Sequence, residues 1–168
     1  RARIAPAILK GGVAAFEKRR LEALSDWSEG ARNLDPAGID WAALAAGNLR
    51  LRVRQKPGAD NMMGKVKFML PNDLGIYLHD TPTKHLFGNA MRAHSHGCIR
   101  IGDPFDLAYA LLSRQTDDPK TMFHRALDRG NEAWLKLTPF VPVHLVYFTA
   151  FPDADGTIRR FEDVYGRD

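Results

Sequence analysis

The stretch Val66-Lys67-Phe68-Met69-Leu70-Pro71-Asn72-Asp73-Leu74-Gly75-Ile76-Tyr77-Leu78-His79 decides how this 168-residue chain folds. Two short runs of β-favouring residues, Val66 to Leu70 and Gly75 to His79, flank Pro71-Asn72-Asp73-Leu74, whose residues favour a tight turn. The stretch predicts a β-hairpin that ends on a histidine. Upstream, Leu49, Leu51 and Val53 alternate with Arg50, Arg52 and Arg54, the period-two pattern of a strand with one buried face, and residues 56–61 read as a loop. Downstream, Asp103-Pro104-Phe105-Asp106 sets a capping carboxylate and a first-turn proline before Leu107, Ala108, Leu111 and Leu112, which predicts a helix. A second helix is predicted over residues 119–129, closed by Gly130.

The ends of the chain read differently. In residues 1–48, Ile8, Leu9, Val13, Phe16, Leu21 and Leu24 suggest short helices interrupted at Gly11-Gly12, with another from Asp40 to Ala46, and no strand is evident. Val143 to Ala150 predicts a buried strand, Asp153-Ala154-Asp155-Gly156 a turn, and Thr157 to Phe161 the returning strand. Strands on both sides of a helical pair predict an α+β domain with a mixed or antiparallel sheet. The chain divides at the change of texture, into a helical segment 1–48 and a β-rich domain 49–168.

Composition narrows the function. With 45% hydrophobic residues the chain can build one ordinary core. Its net charge of +4 carries no like-charge run longer than Lys18-Arg19-Arg20, so a basic nucleic-acid stripe is not expected. No apolar run approaches the roughly 18 residues needed to span a bilayer. The chain opens on Arg1-Ala2-Arg3 rather than on a secretory leader, so the start reads as processed or trimmed and any membrane anchor is expected outside it. A single cysteine, Cys98, excludes an internal disulfide framework and a multi-cysteine zinc site, leaving an inert buried thiol or a reactive one.

The neighbours of Cys98 favour reactivity. Four of the six histidines, His79, His85, His94 and His96, fall within 20 residues of it. A free thiol ionises near pH 8.5, so nucleophilic catalysis calls for an imidazole to take its proton. His79, at the end of a neighbouring strand, can approach the sulfur more easily than His96, which is two residues away across Gly97. Backbone amides around Gly97 and Cys98 are candidates for an oxyanion hole, and Tyr77, on the strand face of His79, could reach the same oxygen or simply pack in the sheet. Zinc held by His94, His96 and Cys98 or His79 is the competing use, but no further carboxylate or cysteine stands at ligand spacing, so no metal or cofactor is expected. Asp153 to Gly156 lacks the closing glutamate of a calcium loop.

Tyr77-Leu78-His79-Asp80-Thr81-Pro82, followed after Ala93-His94 by Ser95-His96-Gly97-Cys98-Ile99-Arg100, resembles the signature of the L,D-transpeptidases, with 15 residues between His79 and Ser95. Pro57-Gly58, Asn61, Gly64, Lys67-Phe68, Leu86-Phe87, Pro142-Val143 and residues 163–168 resemble the catalytic domain of the large multidomain subgroup, in which residues 1–48 correspond to a helical capping segment. The subgroup's early catalytic strands would then precede this chain. The resemblance implies a periplasmic or cell-envelope cysteine acyltransferase acting on peptidoglycan stem peptides and acylated by carbapenems. Cys98 would expel the terminal D-alanine of a tetrapeptide stem, and a second stem's amine would take the acyl group, giving a 3→3 cross-link. The resemblance implies His79 as base, the Asp80 backbone carbonyl as its orienting group, and Ser95, His96 and Arg100 as pocket and substrate-binding residues. Hydrolysis through the same thioester, or a non-catalytic cell-wall-binding module, are the alternatives.

Overall fold

The computed structural model describes residues 4–26, 28, 30–95 and 97–167, with the side chains of 4–10 left aside. It has the expected α+β class, with four α-helices, two short 3-10 helices and three small sheets among the described residues.

The sheet that carries the site is built from the opening hairpin. Strands β4 (Lys67–Met69) and β5 (Tyr77–His79) pair antiparallel, with Phe68 opposite Leu78. Asn72 closes the connection: its side-chain amide donates to the carbonyls of Leu70 and Ile76, and its Oδ1 accepts from the amides of Leu74 and Ile76. Strand β6 (Ile99–Arg100) then lies parallel to β5 on its free edge, placing Leu78 beside Ile99 and His79 beside Arg100. The sheet is therefore mixed, in the order β4-β5-β6.

Helices α3 (Pro104–Leu112) and α4 (Pro119–Leu127) follow and pack on one another. Pro104, Ala108 and Leu112 recur every four residues and form the buried stripe of α3. Ala108, Leu112 and Phe123 form a core against which Val66 and Phe68 of the hairpin region, Phe105 and Tyr109 also pack. The Phe123 ring lies 5.0 Å from Phe105 and 5.7 Å from Tyr109, centroid to centroid. Phe123→Ala is expected to lower unfolding stability by about 3 kcal/mol or more, the usual cost of deleting a buried aromatic ring. Urea unfolding with an unchanged slope would measure it.

Two capping expectations separate here. Asp118 caps α4 through Oδ1, which accepts the Thr121 amide at 3.1 Å. Asp103, expected to cap α3 with its carboxylate, does so only through its backbone carbonyl, which accepts the Leu107 amide at 3.2 Å. At the end of α4, Asp128 takes the cap position and the Gly130 amide donates to Leu127, so the helix stops earlier than residue 129.

The N-terminal region corrects the expectation of helices without strands. Helix α1 (Ile4–Lys18) runs across a non-helical break at Gly12, and α2 (Trp41–Ala45) starts where Asp40 accepts the Ala43 amide. Between them, β1 (Leu21–Leu24) and β2 (Asn33–Leu34) pair, and β1 also pairs with β3 (Arg52–Gln55), in the order β2-β1-β3. Leu21 and Leu24 are three apart, a spacing that suits a helix face, and the competing strand pairing wins because the backbone of 52–55 is available to it. Phe16 and Ala23 form the small core of this region, with Trp41 tilted on Phe16 at 5.6 Å and Leu51 and Val53 packed alongside. The sheet thereby ties residues 21–24 to residues 52–55.

The C-terminal region corrects another expectation. Residues 143–149, predicted as a buried strand, form none, and Leu145, Val146 and Phe148 are exposed. Pairing begins only at β7 (Ala150–Pro152), which meets β8 (Ile158–Arg160) across the expected turn at Asp153 to Gly156. An apolar run becomes a buried strand only when a neighbouring strand and a facing layer receive it.

Candidate active site

The geometry of β5 and β6 brings the separated sequence motifs together. Side chains alternate along a strand, so Tyr77 and His79 lie on one face and Leu78 on the other. Because Leu78 stands beside Ile99, Arg100 shares the face of His79, and Cys98, one residue before β6, falls on the Tyr77 and His79 side. The parallel register thus does what sequence spacing alone could not.

Gly97 makes the entry to β6 possible. Its φ of +140° disfavours L side chains, and a Cβ there would stand 3.2 Å from Ile76 Cγ1. Its amide donates to Ser95 Oγ at 3.2 Å, which shapes the turn before the cysteine and occupies one of the two amides expected to receive an oxyanion. Arg100 reaches back to the same loop, donating to the His94 carbonyl at 3.3 Å. His94 accepts from the Asn89 amide group at 3.1 Å, and His85 is exposed on a separate turn. His96 lies outside the described residues. Cys98 is half-buried, and its thiol donates to the Gly75 carbonyl at 3.8 Å.

His79 is nearly inaccessible, with 5% of its surface exposed. Its Nδ1–H donates to the backbone carbonyl of Asp80, which leaves Nε2 unprotonated as the basic nitrogen. Burial pushes the imidazole below its ordinary pKa of 6.5; the Asp80 carbonyl opposes this, and the Arg100 guanidinium adds to it. The ring is thus neutral at rest and ready to accept a proton. Tyr77 is half-buried on the same face, with the Lys67 ammonium 5.0 Å from its ring centroid.

The residue after His79 is held just as firmly. Asp80 Oδ2 accepts the Lys65 amide at 2.9 Å, and Oδ1 lies 2.8 Å from the Lys84 ammonium. Burial alone would raise the Asp80 pKa, but Lys84 and the amides of Lys65 and Thr81 outweigh it and hold the carboxyl below the usual range. Gly64, at φ +64°, lies directly against this carboxylate: a Cβ at that position would collide with Asp80 Oδ2, Cβ and Cγ. Only glycine admits the chain so close. Lys84, Lys65 and Gly64 were not among the expected site residues; Gly64 belonged to the resemblance alone, and a surface lysine carries no periodic or motif signal.

Among the described residues no three His, Cys, Asp or Glu side chains converge on a metal position. A cavity of about 500 Å³ opens elsewhere, lined by Thr121, Met122, Arg125, Arg129 and Trp134, and none of the candidate residues faces it. No helix among the described residues is long and apolar enough to cross a membrane.

A neutral imidazole with a fixed tautomer and a thiol beside a glycine-shaped turn are thus carried by neighbouring parallel strands. The chain belongs to the YkuD family of L,D-transpeptidase catalytic domains, whose model matches residues 15–135. It is also 36% identical over 135 residues to a Haemophilus influenzae protein named "Putative L,D-transpeptidase". That match covers 80% of this chain and 27% of the relative, so the chain spans about a quarter of the relative's length.

Proposed function

We propose that this domain catalyses L,D-transpeptidation on peptidoglycan in the cell envelope, forming 3→3 cross-links through a thioester on Cys98. The observation that carries the reading is the neutral His79, its Nδ1 tied to the Asp80 carbonyl, on the strand face shared with Cys98. Family membership supports the reaction class.

In the proposed first half-reaction the Cys98 thiol turns from the Gly75 carbonyl and passes its proton to His79 Nε2. The sulfur attacks the carbonyl carbon of the third residue of a tetrapeptide stem, and the resulting oxyanion takes hydrogen bonds from the Cys98 amide and the Tyr77 hydroxyl, joined by the Gly97 amide once it releases Ser95 Oγ. The imidazolium returns the proton to the departing D-alanine nitrogen as the C–N bond breaks, leaving a thioester. In the second half-reaction a stem amine attacks the thioester, His79 receives the amine's proton, and the thiolate leaves and is reprotonated. Ser95 and His96 would shape the pocket, and Arg100 would bind the stem. Carbapenems would acylate the same sulfur. Residues 1–48 would serve as the capping segment over the 49–168 domain.

Incubation with a defined tetrapeptide donor and an amine acceptor stem, read by mass spectrometry, tests the proposal. The expected product is the cross-linked dimer with loss of one D-alanine. Tripeptide alone would reassign the domain to hydrolysis, and unchanged substrate would overturn the reading.

A further inference from the structure

The base of the site is buried, and what fixes it is a single backbone carbonyl on the residue that follows it. That carbonyl is only as well placed as the turn that presents it. Asp80 is 7% exposed and Thr81 2% exposed, so the turn itself sits inside the protein, where its polar groups need partners.

Lys84 supplies them. Its ammonium stands 2.8 Å from Asp80 Oδ1, 3.1 Å from the Ile101 carbonyl and 2.6 Å from the Gly102 carbonyl. The two carbonyls accept hydrogen bonds from the ammonium, and the carboxylate is its ion-pair partner. The carbonyls belong to the chain just after β6, the strand that carries Arg100, and the carboxylate belongs to the chain just after β5. The Ile101 amide donates to the His79 carbonyl at 2.9 Å, so the same two chain segments are already joined at the base. Lys84 thus fastens the end of the strand bearing the base to the end of the strand that follows the nucleophile. The other carboxylate oxygen of Asp80 takes the Lys65 amide, and Gly64 closes against the carboxylate from the opposite side.

An ordinary surface ion pair between flexible chains contributes little. This one differs in geometry rather than in charge: the carboxylate side chain is only 11% exposed, and the lysine binds two main-chain carbonyls as well. We propose that Lys84 is a positioning residue for His79, holding the Asp80 turn so that its carbonyl receives the Nδ1–H and Nε2 remains the basic nitrogen. The inference rests on the reading of His79 as the base of the acyl-transfer site.

The experiment uses protein labelled with ¹⁵N-histidine, in wild type, Lys84→Met and Lys84→Arg, each checked for folding by its amide spectrum. Imidazole ¹⁵N shifts report the His79 tautomer without any reaction, after assignment by comparison with His79→Gln. Wild type is expected to show the Nδ1–H tautomer. Lys84→Met is expected to show a tautomer mixture and carbapenem acylation slowed roughly ten-fold, on the scale by which misplacing a reacting group reduces rate. Lys84→Arg, which retains the charge and several donors, is expected to recover part of both. A wild-type tautomer together with a wild-type rate in Lys84→Met would overturn the proposal. Slowed acylation with an unchanged tautomer would overturn it too, since Lys84 would then act elsewhere. Should Lys84→Met fail to fold, Asp80→Asn removes the charge that Lys84 pairs with while keeping the side-chain shape, and the same two outcomes decide. If wild type itself is not acylated, the function reading fails, while the tautomer comparison still decides whether Lys84 orients the ring.

Discussion

Cys98→Ala is expected to eliminate covalent acylation entirely: incubation with a carbapenem should add one inhibitor mass to wild type and none to the variant. The expectation rests on chemistry rather than on packing. Cys98 is the only cysteine in the chain, so no second thiol can take over, and alanine has no group able to form a thioester. The side chain is half-buried and makes one weak sulfur contact to the Gly75 carbonyl, so its removal should leave the fold intact. The loss in rate has no residual route through the sulfur. It should therefore exceed the fold-change of any other substitution in the site. Unchanged thermal unfolding with loss of the adduct would place the effect on the reaction. An adduct of equal yield on Cys98→Ala would show that the inhibitor reacts elsewhere, and would remove the central premise of the proposed mechanism.

How much of this site could be read in advance depends on the range of the interactions involved. The hairpin from Val66 to His79 is local, and the turn at Asn72 closes it with bonds between residues no more than four apart. The helix after Asp103 was legible for the same reason, although the carboxylate expected to cap it does not. The parallel pairing of β5 with β6 is another matter. Leu78 and Ile99 are separated by a long loop, and no feature of either strand names the other as its neighbour. The signature motif supplied that association by resemblance, and the register then explained it, since residues 77, 79, 98 and 100 fall on one face.

The misreadings have the same origin. Leu21 and Leu24 carry a spacing compatible with a helix face, and pairing with Arg52 to Gln55, some thirty residues away, made them a strand instead. Residues 143–149 carry the composition of a buried strand, but composition does not create the layer that would cover it, and the side chains of 143–148 are exposed. Lys84 is not legible in the sequence because its role depends on a carboxylate and two main-chain carbonyls brought together by the fold. What the sequence displayed were residues defined by local chemistry, while the groups that hold those residues in place became visible only with the tertiary arrangement.

His79→Gln is expected to slow carbapenem acylation by roughly 10²-fold or more, the usual contribution of a positioned general base. Glutamine retains a donor and an acceptor but cannot carry the proton from sulfur to the leaving nitrogen. The same substitution should alter the pH profile, and the sign follows from burial. The folded imidazole is held below its ordinary pKa of 6.5, so in wild type the neutral, basic form persists to more acidic pH than a solvent-exposed histidine would allow. The acid limb that His79 contributes to the acylation rate should accordingly lie below 6.5, and His79→Gln should lose that limb along with most of the rate. Stability follows in the same direction. Between the depressed folded pKa and 6.5 the unfolded chain binds a proton that the native protein does not, so unfolding free energy falls as pH drops through that window. Above 6.5 both states are neutral at this position and the penalty is absent. Urea unfolding across this range should show wild type losing stability towards acid more steeply than His79→Gln, which has no titrating group there. If the variant kept the wild-type acylation rate and acid limb, the base would have to be another histidine, and His96 would become the residue to test.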